Sequence, residues 1–203
     1  MEIIWLGHAC FAVESAGYRV VLDPYEMEGY PPLHTEGDRV LCSHGHHDHN
    51  NVAAVRLRSD REDPFTYAEV ETFHDDAGGT KRGKNLMRIL RAEGLTVVHC
   101  GDLGHFPTEA QLDAIRGCDA LLIPVGGYYT IDAAMARRVC DAVSPRVIVP
   151  MHYRHPPFGL SVVAPVEEFL RLFPAERVHR LDACRFSLTD ASPSGVVVPR
   201  FEG

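Results

Sequence analysis

Residues 43–50 read SHGHHDHN, which sets four histidines and an aspartate among the six positions from His44 to His49. The run follows directly on DRVLC, an apolar stretch that reads as a strand, so the fold must deliver this polar cluster at a strand end. Neutral imidazole and carboxylate suit borderline divalent ions such as zinc, manganese and iron. His44 and His46 stand one residue apart, Gly45 between them allows a tight bend, and Asp48 and His49 follow at once. A solvated histidine-rich loop has the same composition. The strand leading in and a helix expected over NVAAVRLR leading out favour a metal site.

The rest of the chain is compatible with such a site on one globular domain spanning residues 1–203. Hydrophobic residues make up 45% and charged residues 24%, ordinary for a soluble protein, and no apolar run is long enough to span a bilayer. MEIIWLGHACFAVE reads as a strand and not a signal peptide. A net charge of −8 argues against a nucleic-acid binder that relies on a general positive field. The six scattered cysteines read as reduced thiols in a cytoplasmic protein. Cys42 and Cys100 lie near the suspected ligands, but each ends an apolar run, where a small buried residue is the better reading.

Periodicity divides the chain into two halves. EIIWL, CFAVE, YRVVLD and DRVLCSH read as strands, with SAG as a hairpin turn; FTYAEVETFHD and NLMRILRAEGLTVVHCGD add more, the latter folding about AEG. Then helix and strand alternate. TEAQLDAIRG is a helix capped by Thr108 and ended by Gly117, TIDAAMARRVCDAV and APVEEFLRLF are helices, and DALLIPVGG and PRVIVPMH are buried strands. The sum is an α/β sandwich whose strand ends carry histidines and aspartates to one edge.

SHGHHDH resembles the His-x-His-x-Asp-His signature of the metallo-β-lactamase fold superfamily, and later motifs follow in that superfamily's order. WLGHACF, LDPY, TFHDDAGGTKRGKN, HCGDLGH, PVGGYYTIDAAMA and VPMHY look like its bacterial metal-dependent hydrolases related to ascorbate phosphate lactonases and, more distantly, to N-acyl phosphatidylethanolamine phospholipase D. The resemblance implies a four-layer αββα sandwich with two mixed β-sheets. It implies two divalent metal ions, zinc first and manganese or iron as alternatives. One would be held by His44, His46 and His74, the other by Asp48, His49 and His152, with Asp102 bridging and His47 in a non-ligand slot. Asp23 matches an aspartate that supports the histidine loop without binding metal, and it equally fits a turn aspartate before Pro24.

Further residues are expected around this centre. His99 sits three before Asp102 on a strand, so the two face opposite ways and His99 is read as buried support; His105 beyond the strand is read the same way. His8 resembles a position near the site. Lys81, Arg82 and Lys84 form a local positive patch able to receive phosphate or carboxylate, or else a solvated loop. Tyr128, Tyr129 and Thr130, with Arg154 and His155, follow site-edge strands and are candidates to shape a substrate pocket.

The expected function is hydrolysis of an ester, lactone or phosphodiester bond in a small, anionic substrate, with Asp102 and Asp48 as the catalytic carboxylates and a metal-activated water as nucleophile. A di-iron redox protein of the same fold would carry a carboxylate in the place of His46, and a non-catalytic metal-binding regulator would keep the site without turnover. Nuclease and glyoxalase-type thioesterase relatives carry additional domains for which the stretch after His152 is too short. No membrane span or nucleic-acid partner is expected, and a homo-oligomer stays open.

Overall fold

The hairpin turns expected at SAG and AEG are two-residue turns with both central residues left-handed, Ala16 and Gly17 at φ 49° and 80° and Glu93 and Gly94 at 55° and 74°. That geometry matches the right-handed twist of the flanking strands. The computed structural model describes residues 1–58 and 60–202. In chain order its strands are β1 (Glu2–Gly7), β2 (Cys10–Ser15), β3 (Tyr18–Leu22), β4 (Thr35–Gly37), β5 (Arg39–Leu41), β6 (Val55–Leu57) and β7 (Thr66–Phe73). There follow β8 (Lys84–Ala92), β9 (Leu95–His99), β10 (Ala120–Pro124), β11 (Val147–Met151), β12 (Val178–Arg180), β13 (Arg185–Ser187) and β14 (Gly195–Val198). The helices are α1 (Glu109–Ile115), α2 (Ala133–Val143) and α3 (Glu167–Leu170).

Two mixed sheets result, as expected. One runs β13-β1-β2-β3-β5, antiparallel except for the β3–β5 pair. The other runs β12-β14-β11-β10-β9-β8-β7, parallel from β12 to β9 and antiparallel beyond. Alternation sorts the faces of β2: Phe11 and Val13 enter the core shared by both sheets, whereas Cys10 and Ala12 lie in smaller clusters on the other face. β10 and β11 are buried at every position, the signature of parallel strands covered on both faces. Each fully buried Leu, Ile or Val there contributes about 1.5–3 kcal/mol.

Helix α1 begins at a capping box, Thr108 Oγ1 accepting from Gln111 N while Gln111 Oε1 accepts from Thr108 N. α2 buries Ala136, Val139, Cys140 and Val143, a helical-period stripe, after Asp132 caps its start. No helix among the described residues is long and apolar enough to cross a membrane.

Two local expectations are corrected. NVAAVRLR is not a helix: Val52–Ala54 make one 3₁₀ turn that buries nothing, and Val55–Leu57 become β6, parallel to β4. Register sets Arg56 opposite Glu36, and the two form an ion pair, as do Arg58 and Asp38 just beyond the strands; only Val55 of the stretch is buried, so a helix there would have no apolar face to pack. Within APVEEFLRLF only Glu167–Leu170 is α-helical.

The fold aims its site residues by breaking strands sharply. His8 between β1 and β2, Asp23 after β3 and His152 after β11 all take left-handed backbone, at φ 50°, 47° and 52°. Such a conformation costs roughly 1–2 kcal/mol for a residue with a Cβ. Gly101, at φ 55°, follows β9 so closely against its neighbours that a Cβ would sit 2.3 Å from Asn85 Oδ1 and 2.4 Å from Ser43 Cβ. Gly45, credited above with a tight bend, is not left-handed and a Cβ would meet nothing within 4 Å. We predict that Gly101→Ala lowers unfolding stability by more than about 2 kcal/mol. Gly45→Ala should stay within about 0.5 kcal/mol. Urea unfolding of the two variants measures both.

Candidate metal centre

The histidine loop is fastened from outside itself. Asp23, fully buried, accepts from Ser43 N and Ser43 Oγ at 2.6 Å each and lies 2.8 Å from His49 Nδ1. Ser43 Oγ is also 2.9 Å from His44 Nδ1, and Ser43 O accepts from Leu86 N on β8. The outer nitrogens of His44 and His49 are thereby engaged, and their Nε2 atoms are buried without a hydrogen-bond partner. Asp23 thus ties the histidine loop to the end of β3.

The inward groups fall into two sets. His44, His46 and His74 offer donors within 4.8 Å of one another, and so do Asp48, His49 and His152 together with His8. Between the sets stands Asp102, with Oδ2 3.0 Å from His74 Nε2 and 3.3 Å from His152 Nε2, and Oδ1 3.2 Å from His49 Nε2. Two ligands at ~2.0–2.1 Å from one tetrahedral ion lie ~3.3 Å apart, so these separations suit shared coordination. Buried atoms without hydrogen-bond partners gather here as well: Nε2 of His8, His44 and His49, and Asp102 Oδ1. Buried polar atoms are otherwise nearly always satisfied, so the set fits a divalent cation. Neither Cys42 nor Cys100 belongs to a donor set; burial raises the Cys42 thiol to about 11 and the Cys100 thiol well above its ordinary value.

Burial, with His49 nearby, lowers His44 to about 4, so it is an unprotonated donor at neutral pH. Burial and His152 do the same to His8. Burial opposes ionisation of Asp102, but His152 and His49 beside it hold its carboxyl well below the usual range. Asp48 is likewise held low, against its burial, by His8 and His49.

Several supports escaped the sequence. Asn85 on β8, fully buried, donates through Nδ2 to Thr72 Oγ1 and Cys100 O and accepts from Asp102 N at 2.9 Å. Asp75 accepts from the backbone N–H groups of Ala77, Gly79, Lys81 and Arg82, tying down the GGTKRGKN loop. A buried polar residue at an inward strand position is the only signal a sequence could give for Asn85. His99 and His105 are braces: His99 Nε2 reaches Ala9 O at 2.8 Å and its Nδ1 accepts from Gly101 N, while His105 Nε2 accepts from Phe73 N beside His74.

A cavity of about 440 Å³ opens over the centre, lined by His46, Asp48, His74 and Asp102 with Arg82 and Tyr129. Arg82 lies 5.3 Å over the Tyr129 ring. His47 is exposed, lines the same cavity and joins neither donor set. Other substrate-side candidates are placed elsewhere. Lys84 pairs with Glu71 at 2.9 Å on an exposed edge, Tyr128 is exposed beside Tyr129, and Arg154 does not line the cavity.

The sequence model of the beta-lactamase superfamily domain matches residues 2–152, a span that holds every donor named above. The chain belongs to the metallo-β-lactamase superfamily. A superfamily member from Thermotoga maritima, described as a candidate zinc-dependent hydrolase, is 35% identical in its crystal structure, with 99% of each chain covered and a TM-score of 0.79. A metal-dependent hydrolase from Carboxydothermus hydrogenoformans is 30% identical over 83% of this chain and 90% of its own length. Another from Archaeoglobus fulgidus is 28% identical over 75% of this chain and 83% of its own.

The superfamily scaffold depends here on Asp23. Asp23→Ala would leave the Ser43 and His49 donors buried without an acceptor, at about 1–3 kcal/mol for each group. We predict a loss of about 3 kcal/mol or more in urea unfolding of the metal-free protein, with Asp76→Ala, on the exposed loop, within about 0.5 kcal/mol.

Proposed function

We propose that this metal-dependent hydrolase works with two divalent ions, zinc first and manganese or iron as alternatives, to cleave an ester, lactone or phosphodiester bond of a small anionic molecule. His44, His46 and His74 would hold one ion, Asp48, His49 and His152 the other, and Asp102 would serve both. The reading is carried by the Asp102 carboxylate, whose oxygens stand 3.0–3.3 Å from imidazoles of both sets. When bound, the ions supply Lewis acidity and lower the pKa of water.

The chain's own groups do the rest. Asp48 and Asp102, both held ionised and both lining the cavity, accept hydrogen bonds from the attacking water and turn its lone pair toward the electrophilic carbon or phosphorus. Arg82, braced by the Asp75-tied loop and by Tyr129, presents a guanidinium at the cavity wall for a carboxylate or phosphate on the substrate. His74 and Asp102 stay in place because Asn85 and His105 hold the backbone beside each.

Elemental analysis of protein purified without added metal, followed by lactones, phosphodiesters and esters assayed with zinc and with manganese, tests the reading. Asp102→Asn and His46→Ala are expected to lose bound metal and turnover together; full turnover by a metal-free variant would sink it. Arg82→Ala should raise KM for anionic substrates roughly 10–100-fold, from the loss of a charged hydrogen bond, and leave neutral substrates within about twofold.

A further inference from the structure

His8 is the one inward imidazole that the two proposed donor sets leave without a task. It is only 3% exposed, and its Nε2 has no hydrogen-bond partner. The nearest carboxylate oxygen, Asp48 Oδ2, is 3.7 Å away, too far for a hydrogen bond. Its ring centroid lies 4.3 Å from that of His152 and 5.2 Å from that of His49, so it packs against the Asp48–His49–His152 set, and the donor atoms of all four lie within 4.8 Å of one another. It does not line the cavity over the centre.

The backbone is built to hold it so. His8 takes left-handed φ of 50° in the β1–β2 turn, and its carbonyl accepts from Trp5 Nε1 at 3.1 Å and from His152 N at 3.4 Å. The second of these bonds ties His8 to the backbone of a proposed ligand. A strained turn and a buried, unpaired nitrogen are both costs, and a bound cation would offset them.

We propose that His8 Nε2 is a fourth protein donor to the ion held by Asp48, His49 and His152. The proposal rests on the two-ion reading above. With His8 this position has four protein donors besides Asp102, whereas the His44–His46–His74 position has three. The two positions are therefore unequal: the His8 position is the tighter and fills first, and the three-histidine position, with two of its three donors on the cavity wall against one of four, is the one that exchanges its ion.

Long-range proton–nitrogen NMR of the full chain titrated with zinc reads this directly. His8 Nε2 is expected to move to the position of a metal-bound imidazole nitrogen in the first step, together with His49 and His152. If His49 and His152 shift and His8 keeps its metal-free pattern, His8 is not a ligand, and the two-ion centre stands without it. If none of the six imidazoles responds, the centre itself falls, and this inference with it. A second arm uses His8→Asn, since Asn tolerates left-handed backbone. In chelator competition it should weaken the tighter of two zinc-binding steps by ~10-fold or more and leave the other within about twofold. Two unchanged steps would overturn the assignment.

Discussion

The bond between the Asp23 carboxylate and the Ser43–His49 segment is the fixture on which the rest of the centre depends. A run of four histidines with an exposed middle has no apolar surface with which to anchor itself. Asp23 supplies the anchor from a neighbouring strand end, in a position closed to water, where a charge-assisted hydrogen bond is strong and its loss expensive. Because Asp23 occupies the outer nitrogen of His49, and Ser43 that of His44, both rings are turned with Nε2 inward. Orientation is thus settled before any cation arrives.

The same logic is repeated around the site with different chemistry. Asn85 fixes the backbone at Asp102, His105 fixes the strand end before His74, and His99 bridges the β1–β2 turn and the end of β9. Each brace spends its polar atoms mostly on backbone groups beside the donor sets, and none of them occupies an inward donor atom of those sets. Structural order in one layer is what leaves coordinating capacity in the next.

Much of this was legible in the sequence, for a physical reason. Strands end where apolar alternation stops, and a histidine or aspartate at that point is conspicuous, which is why His74, Asp102 and His152 could be matched to His44–His49. The supports were not legible. Asn85 and Ser43 are ordinary polar residues whose meaning comes from a partner on another strand, and Asp75 looks like any loop aspartate until four backbone N–H groups converge on it. Residues 51–58 misled because an apolar residue every three or four positions is also what a short edge strand can show when its charges are paired across to β4. Among the basic loop residues, composition could not choose between Arg82 and Lys84. Strand register did, by setting Lys84 opposite Phe73 and within reach of Glu71.

The proposed donors lie very unevenly along the chain: four in one six-residue run, the others at His74, Asp102 and His152, with His8 near the start. A chain emerging from the ribosome presents the dense run long before it presents His152, and that run can chelate a cation with no fold around it. Affinity in the unfolded chain subtracts from the stabilisation that a cation gives the folded one. On the two-ion reading, metal loading and folding would compete for the same imidazoles during synthesis. The groups that orient His44 and His49, Ser43 and Asp23, all precede residue 50 and so emerge together with the run they anchor.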